Sequence, residues 1–242
     1  MTDYSANVDP RELTKFEAAA SRWWDPSGEF RALHDINPLR LDYIDQRAGL
    51  MGKQVIDVGC GGGILSEAMT GRGATVIGID ASETSLGVAR LHQWRSRANV
   101  SYVNATPERY ASEHAGQFDV VVCMELLEHV PQPSLVVEAC VRLAKPGGHV
   151  FFSTINRTPL AYLLAVVGAE YLLGLLPKGT HDYSRFIQPA ELSGWARSCG
   201  LSLRDISGMS YNPFTRQSAL TSTVAINYFV HAQLDGTTHD PV

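Results

Sequence analysis

The chain has 242 residues, 45% of them apolar and 19% charged, with a formal net charge of −5. This is a globular composition, long enough to bury a full core. The acidic balance, with no Lys/Arg run to offset it, speaks against a nucleic-acid partner. Cysteines at 60, 123, 140 and 199 have neither C-x-x-C spacing nor the density of a disulfide scaffold, which implies reduced thiols in a cytosolic setting.

The opening MTDYSANVDPREL is polar and mixed in charge, unlike a secretory signal or a transit peptide. Leu13, Phe16, Glu17, Ala20 and Trp23 follow helical spacing and predict a helix from about Pro10 to Trp24. Trp24, Asp25, Pro26 and Gly28 end it, and a second helix is expected from Pro38, a residue suited to a first turn. These N-terminal helices precede the sheet and are expected to cover the ligand cleft, excluding water from a group transfer that hydrolysis would spoil. Arg40, on the second of them, reads either as a cation for a ligand carboxylate or as a solvated helix charge.

Gln54 to Ile64, QVIDVGCGGGI, organises the rest. A short β-type run carrying Asp57 ends in glycines at 59, 61, 62 and 63, and a helix-forming segment follows. A strand feeding a glycine turn into a helix N-terminus is the plan of a nucleotide site in a doubly wound α/β sheet. A dinucleotide fingerprint wants glycine where Ile64 stands and needs no acid before the first glycine. The acid two residues before Gly59 makes the pattern D-x-G-x-G-x-G, which resembles motif I of class I S-adenosylmethionine (SAM) methyltransferases. A sulfonium and an amino group have reason to sit near a carboxylate, whereas a pyrophosphate does not. The next strand, ATVIGI, ends at Asp80, 21 residues after Gly59 and placed to accept both ribose hydroxyls. Its other reading, a helix cap, is better served by Ser82.

Val100 to Asn104 reads as strand three, with Ala105 at its tip where an adenine edge is commonly approached. Phe118 to Cys123 is strand four, a helix runs from Ser134 to Leu143, and His149 to Ser153 is strand five after the KPGG turn. Alternation of this kind predicts a parallel sheet with right-handed crossovers. A helix from Pro189 to Cys199 and strands at Leu201 to Ile206 and Thr223 to His231 complete the chain, the last two as an antiparallel edge.

Met124, Glu125, Glu128 and His129 follow strand four at the ligand edge. As one helical turn, Glu125, Glu128 and His129 would share a face. Three readings stay open: His129 as a general base near neutral pH, a divalent ion held by all three, and a turn that braces the cofactor floor. Met124 is expected to pack on the adenine. His181, in the polar PKGTHDYSRF loop, reads as a base, a substrate contact or a surface histidine.

Beyond the motif, the segments KFEAAASRWWDPSGEFRALHDINPLRLDYI, VIDVGCGGGILSE, GATVIGID, CMELLEHVPQP, KPGGHVFFSTINRT, VVGAEYLLGLLPKGTHDYSRFIQPAEL and YNPF together resemble the bacterial ubiquinone-biosynthesis O-methyltransferases across residues 10 to 230. The resemblance implies a Rossmann-like seven-stranded class I methyltransferase sheet in one domain over 1–242, with a helical cover (1–48) and an apolar insertion after strand five (157–185). It implies SAM as co-substrate and O-methylation of a polyprenylated catechol and of demethylubiquinol. It makes Arg40, Gly59, Asp80 and Met124 expected SAM contacts, to which the reading of the residues adds Asp57, Gly61 and Ala105, with His129, Glu128 and His181 as its catalytic candidates. It also admits Mg²⁺ at Glu125, Glu128 and His129, where eukaryotic relatives place it. The rival functions are a SAM-binding subunit without turnover in a quinone-synthesis complex, and a class I methyltransferase of another small molecule.

Pro159 to Leu176, PLAYLLAVVGAEYLLGLL, carries one charge, Glu170. It reads as a buried core helix or as a helix lying in the membrane surface, with Arg157, Lys178 and Arg185 facing anionic headgroups. On the second reading the protein sits at the inner face of the cytoplasmic membrane and receives the polyprenyl tail directly from the bilayer.

Overall fold

In the computed structural model, which describes residues 7–163 and 182–236, apolar runs and helices alternate as the sequence leads one to expect. Strands β1 (Gln54–Val58), β2 (Thr75–Asp80), β3 (Val100–Asn104), β4 (Phe118–Met124) and β5 (Ala144–Ile155) pair in parallel. Helices α3 (Ile64–Gly71), α4 (Glu83–Ser96), α5 (Pro107–Glu113) and α6 (Pro133–Leu143) are the crossovers. Ser82 caps α4 by accepting from Ser85 N–H at 3.0 Å, which leaves the Asp80 carboxylate for other work.

Strand alternation separates two cores. Val55, Val76, Val120, Val122, Phe151 and Phe229 pack with Tyr43, Ile44, Leu65 and Met69 of the helices on one side. Ile56, Ile79, Val121, Phe152 and Val230 pack with Val136, Val137, Cys140 and Leu192 on the other. The central strands β1 and β4 are buried on both faces, as a parallel sheet covered by helices on either side requires.

Three expectations change. Among the described residues the sheet has eight strands, β3-β2-β1-β4-β5 followed by three antiparallel ones of which the last along the chain lies next to β5. The antiparallel edge comprises β6 (Leu201–Asn212), β7 (Gln217–Thr221) and β8 (Asn227–Leu234), because the YNPF segment turns the chain into a hairpin before it re-enters the sheet. The second cover helix, α2 (Arg31–Ala48), starts seven residues before Pro38 and carries that proline in its interior. Leu33, Ile36, Tyr43 and Ile44 bury one stripe on both sides of Pro38, and this packing outweighs the lost backbone bond. The first cover helix is shorter than expected: α1 is Pro10–Ala19, and Ala20–Arg22 tightens into a 3₁₀ turn.

The insertion enters the described residues only at α7 (Pro159–Ala161) and the two residues that follow; the remainder of Pro159 to Leu176, Lys178 and His181 lie outside them. Two cations expected to face headgroups are engaged within the protein. Arg157 donates to the Phe186 carbonyl and pairs with Glu191, and Arg185 pairs with Asp9. Helix α8 (Pro189–Ser198) then leads back to the sheet. Among the described residues no helix is long and apolar enough to cross a membrane.

Candidate active site

A cavity of about 530 Å³ opens at the carboxyl edge of the parallel strands, lined by residues from α1, α2, the glycine turn, the tips of β2 and β4, and the β6 and β8 ends. The glycine turn forms one end. Gly59, Gly61 and Gly63 have φ values of 75°, 52° and 86°, left-handed conformations that a side chain disfavours. Gly61 has a second constraint, since a Cβ there would overlap the indole of Trp23 on the cover. Trp24 reinforces that contact by donating from its indole N–H to the Gly62 carbonyl at 2.8 Å.

Asp57 is buried beneath the turn and accepts from the Ser66 hydroxyl. Burial pushes its carboxyl up to about 6, against the pull of Ser66 and Arg40. Asp80 accepts from Gly61 N–H at 2.9 Å and from Ser82 N–H at 2.8 Å, one on each oxygen, so the carboxylate is oriented before any ligand arrives. Its burial likewise raises it, opposed by those two amides. Ala105 follows β3, held by its N–H to the Asp80 carbonyl at 3.1 Å, and lines the cavity with Met124.

Arg40 is a buried cation (6% exposed), not a solvated helix charge. Its Nη2 stands 3.3 Å from Glu125 Oε1, and its Nε has no hydrogen-bond partner among the described residues. Burial lowers its affinity for the proton, while Glu125, Glu128 and Asp57 hold the charge in place. A buried guanidinium edge left unbonded at a cavity wall is chemically matched to a ligand carboxylate.

Glu125, Glu128 and His129 do not converge. Glu125 takes a left-handed backbone (φ 54°), and Leu127–His129 is a 3₁₀ turn, so the i, i+3, i+4 geometry of one α-helical turn is absent. Glu125 accepts from Ser153 Oγ at 2.6 Å, and Glu128 from Thr154 Oγ1 at 2.8 Å. His129 Nδ1 lies 2.9 Å from Glu12 Oε2. Among the described residues no three His, Cys, Asp or Glu side chains are grouped to hold a metal ion, and these three carry separate partners instead. Burial, reinforced by Glu125, pushes the Glu128 carboxyl up to about 8.

Glu12 is the site residue that the sequence did not disclose. It comes from α1, 117 positions from His129, and it also accepts from Lys15 Nζ at 2.7 Å. Burial works to raise its carboxyl, but the hydrogen bonds from His129 and Lys15 prevail and hold it below the usual range. Phe16, one turn along, stands perpendicular to the imidazole, with ring centroids 5.0 Å apart. Helical spacing marks Glu12 only as a polar residue of the cover, and no local signal announces its partner.

The family model for a methyltransferase domain matches residues 11–206. The chain is 60% identical over 228 residues to the ubiquinone biosynthesis O-methyltransferase of Pseudomonas aeruginosa (strain LESB58), covering 94% of this chain and 98% of that protein. It is also 60% identical over 225 residues to the protein of that name from Pseudomonas syringae pv. syringae (strain B728a), covering 93% and 97%. Among solved structures, magnesium protoporphyrin IX methyltransferase from Synechocystis PCC 6803 with bound SAH superimposes with a TM-score of 0.70 at 19% identity, over 93% of this chain and all of that one. A SAM-dependent methyltransferase from Thermotoga maritima gives 0.66 at 15% identity, over 92% and 99%. At such identities the two structures speak for the fold.

Proposed function

We propose how methyl transfer proceeds in this chain, which belongs to the ubiquinone biosynthesis O-methyltransferases. It is a SAM-dependent O-methyltransferase, and its substrate is related to quinones. The finer reading is methylation of a phenolic hydroxyl on a polyprenylated catechol and on demethylubiquinol. In this reading Asp80 takes the ribose hydroxyls, and Ala105 and Met124 flank the adenine. The glycine turn and Asp57 sit beside the methionine portion, and Arg40 meets its carboxylate. The unbonded Arg40 Nε is the observation that supports this placement most directly.

The neutral oxygen of a phenol, with a pKa near ~10, is a poor nucleophile at neutral pH. His129 is the proposed proton acceptor. Glu12 holds its Nδ1 as the N–H nitrogen and so leaves the lone pair on Nε2. As the proton moves to His129, the phenolic oxygen forms its bond to the methyl carbon and the sulfonium–methyl bond breaks. The products are the aryl methyl ether and neutral S-adenosylhomocysteine. Holding both reactants in register within a covered cleft supplies much of the acceleration. Glu128, buried and proton-rich, is proposed to orient the acceptor rather than to remove its proton, and His181 is retained as an acceptor contact.

The direct test incubates the purified protein with labelled SAM and a short-chain demethylubiquinol analogue; absence of label in the quinol sinks the reading. His129→Asn is expected to lower kcat by about 100-fold and Glu12→Gln by about 10-fold, within the range for general-base catalysis, while the Kd for SAM stays within about twofold. A kcat unchanged in both variants would remove His129 as the base.

Contact with the membrane surface at the inner face of the cytoplasmic membrane, and with a quinone-synthesis assembly, extends the proposal. Its support is the apolar run after strand five, of which Leu160, Tyr162 and Leu163 are described and are exposed. Flotation with anionic liposomes tests it: equal recovery with and without residues 159–176 ends the idea.

A further inference from the structure

The β6–β7 hairpin overhangs the ligand edge of the sheet. Met209 on β6 pairs with Asn227 at the start of β8, and Asn227 pairs in turn with Ile155 at the end of β5. Residues 210–217 therefore project beyond the last parallel strand. The cavity-lining residues Met209, Tyr211 and Pro213 come from this overhang and its root, and Ile226 joins them from the stretch before β8. With Leu33 and Ile36 of α2 they form an apolar stretch of the cavity wall. Phe214, next to Pro213 at the hairpin tip, is 83% exposed.

One carboxylate fastens the hairpin. Asp35, in the second turn of α2, has a nearly buried side chain (7% exposed) although its partner Arg216 is half open to solvent. Arg216 forks onto it, with Nη2 at 2.7 Å and Nε at 3.0 Å from Oδ1. Tyr211 donates its hydroxyl to Oδ2 at 2.7 Å, and Arg216 Nη2 also reaches the Pro26 carbonyl at 3.2 Å. A planar fork on a shielded carboxylate is the strong form of ion pair, unlike an isolated exposed one. Arg216 also has φ of 57°, a conformation uncommon for a long side chain, which persists where surroundings over-determine it. The clasp thus joins the loop after the cover helix, α2 and the hairpin, the last two of which line the cavity.

We propose that the underside of the β6–β7 hairpin is the subsite for the acceptor's apolar tail, with Asp35 and Arg216 as the positioning residues that hold it against α2. The proposal rests on the methyl-transfer reading above for the identity of the acceptor. The quinol ring lies near Glu128 and His129, and the tail runs along Met209 and Pro213 to leave the cavity beside Phe214. Arg216 and Asp35 touch neither reactant in this arrangement; they act through the wall.

The test compares full-length wild type with Arg216→Gln and Phe214→Ser on a prenylated quinol and its tail-less counterpart. The second variant alters an exposed side chain that the fold does not need. Arg216→Gln is expected to lower the preference for the tailed quinol, the ratio of the two kcat/KM values, by at least about 10-fold through KM, the size of one lost charge-assisted contact. Phe214→Ser is expected to lower it by about 3-fold, as partial loss of apolar contact would, and SAH affinity should stay within about twofold in both. A preference within twofold of wild type in both variants overturns the subsite. Failure of wild type to methylate either quinol would instead overturn the reaction. In that case calorimetry of the tailed quinol on SAH-loaded protein still decides the subsite, and equal affinity in wild type and Arg216→Gln overturns it.

Discussion

Replacing Asp80 by alanine is expected to raise the Kd for SAM by at least about 100-fold while the protein stays folded. Two charge-assisted bonds to ribose hydroxyls, at about 1.5–3 kcal/mol each, set that scale. Part of the loss is internal. The Asp80 carboxylate accepts from Gly61 N–H and Ser82 N–H, so its removal also frees the glycine turn from the tip of β2. Asp80→Asn keeps one acceptor oxygen and should fall between wild type and alanine. Calorimetric titration with SAM and SAH makes the measurement, and a Kd within threefold of wild type for Asp80→Ala would remove this residue from the cofactor site.

Replacing Arg40 by methionine is expected to cost about 3–5 kcal/mol of stability, the range for stripping one partner from a buried charge cluster, or roughly 6–20 °C in Tm at this chain length. The loss should grow with pH. Asp57 is held up at about 6 and Glu128 at about 8 by burial, and Arg40 opposes both shifts. Both carboxyls therefore bind protons more tightly folded than unfolded. The stability linked to those protons is complete at low pH and is lost progressively as pH rises from the ordinary carboxyl values of 3.8 and 4.5 through the folded values of about 6 and about 8. Without the guanidinium the folded values move higher still, so the deficit of Arg40→Met should be larger at pH 8.5 than at pH 6. Adding Glu128→Gln, which has no charge to bury, should restore part of the loss at the higher pH. Denaturant unfolding at the two pH values tests this. A deficit independent of pH would show that Arg40 acts through packing alone.

Much of the site is legible because its chemistry is local. Asp57 and the four glycines fall within seven consecutive residues, and the strand carrying Asp80 is the next along the chain. Periodicity then places both motifs at the same sheet edge. Glu125, Glu128 and His129 show where such reasoning stops. Their spacing suggests one helical turn, but the backbone leaves β4 in a left-handed step, and Glu125 and Glu128 find their partners on β5 while His129 finds its own on α1. The hairpin was illegible for a related reason. Tyr211 and Arg216 are ordinary turn-flanking residues until α2 brings Asp35 to them across 176 and 181 positions.

Apolar period, glycine placement and the two acids at strand ends determined on their own an α/β sheet with a nucleoside-type pocket at its carboxyl edge. These features need only near neighbours, since backbone sterics and strand alternation act over a few residues. Tertiary packing decided the protonation of Glu128, the pairing of Glu12 with His129, and the eighth strand with its clasp. Desolvation and charge pairing depend on which distant groups share a buried volume, and no spacing rule encodes that before the chain has closed upon itself.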